Sequence, residues 1–163
     1  TSDRTICERR PDRYRRRDDP LYEHEVVELF LMPRRSVIPD GPYIELQADP
    51  DGTRFDARFV ASRKGMDLGF NPRWVATSTR SATGWSSEWA IPWTEIGAHP
   101  EAGSVWRGNL FRIDRSKGMK DAYQAWSPPM VGDFHRTERF GFLRFGPEPT
   151  AANAGQPKSP PAL

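Results

Sequence analysis

Three histidines, His24, His99 and His135, are the first residues to test for chemistry. None stands two, three or four residues from another, so no strand or helix can aim two of them at one ion. Ser127 lies in Trp-Ser-Pro-Pro, which lacks the glycines of a nucleophile elbow. There is no glycine-rich phosphate loop. Cys7 is the only cysteine, which excludes an internal disulfide, and no neighbouring base is placed to take its proton. Glu28 and Glu45 fall on adjacent strand-like segments. A carboxyl pair is the equipment of glycoside hydrolysis. Nothing in the sequence sets one of them as acid against the other as base, so the expectation is two polar groups on a sandwich face and no catalysis.

The aromatics say more. A sugar offers apolar C–H faces and a rim of hydroxyls, so a protein that holds one needs flat rings beside hydrogen-bonding groups. Tyr22, Trp126 and Phe134 stand in loops or at strand ends close to Asp18, Asp19, Gln124, Asp133 and His135. Trp74, Trp85, Trp89 and Trp106 sit inside strand-like segments and are expected in the core.

Such side chains need a scaffold, and the sequence reads as strands. Residues 25–31 alternate, with Val27, Leu29 and Leu31 on one face and Val26, Glu28 and Phe30 on the other. Apolar groups on both faces predict a central strand. Residues 43–60 read as a hairpin about Asp49-Pro50-Asp51-Gly52, and residues 74–91 as a second about Ala82-Thr83-Gly84. Pro92-Trp93-Thr94-Glu95-Ile96 predicts one helical turn or a tight corner. Residues 105–114 form another strand, with Gly108 a bulge or a point of close approach, and residues 123–126 and 139–145 close the series. With 13 Gly, 16 Pro and a mean hydropathy of −0.75, the chain predicts an all-β fold, an antiparallel β-sandwich with little helix.

Residues 1–145 form the expected sandwich domain, and residues 146–163, with five Pro and four Ala, a tail that cannot bury enough apolar surface to fold alone. A net charge of +2 argues against a nucleic-acid partner, and no apolar run is long enough for a membrane span. Residues 1–17 hold seven Arg against three acids. This basic segment and the Pro-rich tail are the expected contacts to any protein partner.

Four segments carry a family pattern in this order: Asp18-Asp19-Pro20-Leu21-Tyr22 leading into Val27-Glu28-Leu29-Phe30-Leu31; Tyr43-Ile44-Glu45-Leu46 leading into the Asp-Pro-Asp-Gly turn; Gly84-Trp85 with Glu88-Trp89-Ala90-Ile91-Pro92-Trp93; and Trp106 to Asp114 followed by Ala125-Trp126-Ser127-Pro128 and Phe134 to Gly141. From about residue 6 to 145 the chain resembles the family 9 carbohydrate-binding modules and the wider DOMON-like sandwich group, jelly-roll in form. The resemblance implies a non-catalytic module, periplasmic or extracellular, that clamps a terminal saccharide between two aromatics. Those positions fall on Tyr22 and Phe134, where the family carries tryptophans. Its strand glutamate corresponds to Glu28, a basic contact falls near Gln47, and an asparagine corresponds to Val131. With Trp126 and His135 as walls, the candidate site is Tyr22, Glu28, Gln47, Trp126, Phe134 and His135. No cofactor is expected. The family accommodates a structural calcium, but no acidic loop here has its ligand spacing. The family's early strand pair is expected to be missing, with Thr5-Ile6-Cys7 the end of one such strand, which leaves a sheet edge open. The alternative reading is therefore an accessory subunit of a larger, membrane-associated or soluble assembly, with the sandwich as an interaction scaffold.

Overall fold

The structure, a computed structural model, describes residues 14–33, 40–115 and 119–147. Cys7, most of the basic segment, the Thr5–Cys7 strand and the tail from residue 148 lie outside the described residues.

The described chain is all-β and antiparallel, with eight strands: β1 (Val26–Met32), β2 (Tyr43–Ala48), β3 (Arg54–Phe59), β4 (Val75–Ser81), β5 (Gly84–Ala90), β6 (Val105–Asp114), β7 (Ala122–Ala125) and β8 (Gly141–Arg144). The helical content is three short 3-10 turns, at Leu21–Glu23, Trp93–Ile96 and Thr137–Arg139. Pro92 thus begins a helical turn, as its fixed φ favours.

One sheet has six strands in the order β3-β2-β1-β6-β7, with β8 also on β6. β1 is central, as its two apolar faces required. β8 pairs Val105–Gly108 and β7 pairs Phe111–Asp114, so the two share one edge of β6. The junction between them is held by Asn109. Its amide nitrogen donates to the Ser127 carbonyl at 2.7 Å and its amide oxygen accepts from the Ser127 N–H at 2.9 Å. A side chain here does the work of a strand, and the chain leaves the sheet at this point. Gly108 is a close approach and not a bulge: pairing runs through it unbroken, and an added Cβ would fall 2.6 Å from the Phe30 carbonyl oxygen.

The β2–β3 turn follows from its residues. The Asp49 carboxylate accepts from the Asp51 and Thr53 N–H groups at 2.9 and 2.8 Å, and Gly52 takes φ +81°, a value that favours glycine. β4 and β5 form a separate two-stranded sheet joined by Ala82-Thr83. It is fastened to the large sheet by Ser78 Oγ to the Asp49 carbonyl (2.7 Å), Arg80 to Asp51 (2.8 Å) and the Trp85 indole to Glu25 (2.7 Å).

Two cores result, one on each face of the large sheet. Leu31, Ile44, Leu46, Ala48, Trp74 and Trp106 pack on the side of the small sheet, with Trp89 and Ile91 against them. Trp74 is 1% exposed, and its indole donates to Asp56, which also pairs with Arg17. The opposite face buries Leu21, Val26, Phe30, Met32, Tyr43, Phe55, Phe59, Phe111, Ile113 and Phe140.

Candidate functional site

Strand alternation sets the site. Val26, Phe30 and Met32 bury in the second core, and Glu28 between them points to the same face. On β2 that face carries Tyr43, Glu45 and Gln47. Glu28 stands in register with Gln47, and Phe30 with Glu45. Three polar side chains therefore lie side by side, each less than 5% exposed. Among the described residues no other sheet covers them. The segment after β7 crosses above them, and a cavity of about 1010 Å³ remains between.

Glu28 and Glu45 line this cavity together with Tyr22, Phe134 and His135. Gln47 does not; it lies packed beside the floor and its amide donates to Glu45. Trp126 lies apart from the cavity. Its ring covers Gly141 at the start of β8, where an added Cβ would fall 2.6 Å from the indole. Val131 also lines the cavity. The Phe134 ring stacks on Phe111, with centroids 4.1 Å apart and planes at 10°, and Tyr123 meets it edge-on at 6.3 Å. Tyr22 is half exposed, and no ring contact joins it to Phe134 among the described residues.

Other lining residues were not singled out by the sequence. Phe55 and Phe59 of β3, Tyr123 of β7, and Arg63 and Met66 of the loop after β3 all line the cavity. Alternation on β3 marks Phe55, Ala57 and Phe59 as one face, which is the signal that could have found two of them. Arg63 has no such signal, because its role comes from contact with a segment far along the chain.

That contact anchors the roof. Arg63 pairs with Asp133 at 2.7 Å, Asp133 accepts from the His135 N–H at 2.9 Å, and Ser62 Oγ donates to the His135 carbonyl at 2.5 Å. The Tyr43 hydroxyl lies 2.6 Å from His135 Nδ1. Burial pushes the Tyr43 phenol well above its ordinary range and pulls the His135 imidazole down to about 4, with the Arg63 charge adding to the latter. At neutral pH the phenol therefore keeps its proton and donates it to Nδ1, which puts the ring proton on Nε2. Nε2 lies 3.9 Å from Glu45, too far for a hydrogen bond.

The floor is where the electrostatics are unusual. Burial raises the Glu45 carboxyl to about 7, against relief from the Gln47 hydrogen bond and from Arg63. Burial raises Glu28 well above the carboxylate range, and repulsion from Glu45 raises it further. Glu28 Oε1 and Gln47 Oε1 are buried without a hydrogen-bond partner among the described residues. Buried polar atoms normally have one, so an orphan at a cavity floor marks a place where a ligand group fits. The arrangement can present neutral or charged carboxyls to hydroxyls or amines, between aromatic walls.

No group of three or more His, Cys, Asp or Glu among the described residues is arranged to hold a metal ion. No described helix is long and apolar enough to cross a membrane. No known family model matches this chain, and no curated protein matches it.

Proposed function

We propose that this domain is a non-catalytic saccharide-binding module, which takes the end of a sugar chain into the cavity between Tyr22 and Phe134. The observation that carries the reading is the buried Glu28 carboxyl, with an oxygen left unpartnered among the described residues, at the floor of an aromatic-walled cavity of about 1010 Å³. Phe134, backed by Phe111, lines the cavity and offers its ring to a pyranose. Glu28 and Glu45 meet the hydroxyls, Gln47 steadies Glu45 from beside it, and Arg63 and His135 hold the roof. The likeness of the ordered motifs to family 9 carbohydrate-binding modules supports the same reading. Calorimetric titration with mono- and disaccharides tests it. Binding with a Kd of about 1 mM or tighter is expected, and no binding of any sugar at millimolar concentration would contradict it.

A second reading, an accessory subunit of a larger assembly, is favoured by the small sheet. β4 and β5 pair only with each other among the described residues, and an apolar groove lined by Leu29, Trp89, Trp93 and Leu143 lies beside them. An open strand edge above an apolar floor suits an added strand. Light scattering separates the readings, since an isolated monomer across micromolar concentrations counts against the assembly.

A further inference from the structure

Charge balance in the cavity points to the class of sugar. The cationic side chains at its wall are engaged: Arg63 by Asp133 at 2.7 Å and Arg115 by Asp121 at 3.1 Å. Neither floor carboxyl has a Lys or Arg ion pair among the described residues. Glu45 faces His135, which is neutral at pH 7, and Glu28 faces Glu45 and Gln47 across β2. Two buried carboxyls thus repel each other with no ion pair to either, and only the charge of Arg63, itself paired with Asp133, acts on Glu45. Such a pair must either keep protons or accept a cation from outside.

The walls suit a cation as well as a sugar ring. Tyr22, Phe55, Phe59 and Phe134 surround the same space. Aromatic faces attract an ammonium within about 6 Å, the more so where water is excluded. A hydroxyl satisfies the unpartnered oxygen of Glu28 and leaves the pair holding its protons. A protonated amine satisfies the oxygen and also lets the pair ionise, because its charge attracts both carboxylates.

We propose that the preferred ligand is an amino sugar, with its ammonium seated on Glu28 and Glu45 and its ring between Tyr22 and Phe134. This inference rests on the saccharide-binding reading. Calorimetry of the whole chain at pH 7 with glucosamine, glucose and N-acetylglucosamine tests it, because the three differ at one substituent and only the first is charged. A hydrogen bond to a charged group distinguishes them by about tenfold or more in Kd, glucosamine being tightest. In Glu28→Gln the preference falls to within about twofold, by the same arithmetic. Should that variant fail to fold, the ranking of the three sugars on the wild-type chain decides alone. Equal affinity for all three overturns the amine site and leaves the saccharide reading standing. Binding of none overturns both.

Discussion

The two faces of the six-stranded sheet come from the same strands and differ in what covers them. On one face Leu31, Ile44 and Leu46 meet Trp74 and Trp89 beneath the small sheet, and the layer is apolar throughout, with a groove at its side lined by Leu29, Trp89, Trp93 and Leu143. On the other, β1 and β2 place Glu28, Glu45 and Gln47 among aromatics, and the cover is a crossing segment held by a handful of polar contacts. A sheet laid on a sheet closes the space between them. A loop laid on a sheet leaves room, and here the room lies above the sheet's most polar residues.

The largest expected effect lies on the face beneath the small sheet. Trp74→Ala removes a 1%-exposed indole and its bond to Asp56, so urea unfolding should show a loss of about 3–5 kcal/mol. Phe134→Ala sharpens the contrast from the other side. It should weaken saccharide binding about tenfold, measured by titration, and cost less stability than Trp74→Ala because its ring is only partly buried. Comparable losses of stability in both variants would erase the distinction between the faces.

The polar floor also predicts a pH response. Glu45 has a raised folded pKa of about 7, so its contribution is full below about 4.5 and is lost as pH rises through 7. Glu28 is raised as well and adds to that loss above neutrality. His135, lowered to about 4, acts oppositely: its contribution is present above about 6.5 and is lost as pH falls through 4. Of these three groups the glutamates alone still titrate above pH 6.5, so the melting temperature should fall between pH 6.5 and 8, and Glu28→Gln should flatten the fall. The smallest effect belongs to the fastening of the small sheet. Arg80→Ala breaks a part-exposed ion pair with Asp51, and thermal melts should detect a change within about 0.5 kcal/mol.

Most of the scaffold is legible from alternation and turn chemistry. Residues 105–114 read as a strand with the bounds that β6 has, and Asp49-Pro50-Asp51-Gly52 marks the β2–β3 turn by residue types that favour one. The site is legible in part. Tyr22, Glu28, Phe134 and His135 do meet at one cavity. Gln47 comes close because its strand position fixes its face, and it lies beside the floor without lining the cavity. Trp126 does not join them, because Asn109 turns the chain out of the sheet just after it and its ring is spent on Gly141. Arg63 and Asp133, seventy residues apart, could not be paired from sequence, since their contact exists only once the roof crosses the sheet.

Glu28 and Glu45 form a buried carboxyl pair at the floor of the open face that resists ionisation while no cation is bound. A carbon-13 NMR titration of the glutamate side-chain carboxyls measures this directly. Two resonances, assigned through Glu28→Gln and Glu45→Gln, should titrate far from the rest, Glu45 near about 7 and Glu28 above the ordinary range, and both should move when glucosamine is added. Titration of both near the ordinary glutamate value, about 4.3, would contradict the account.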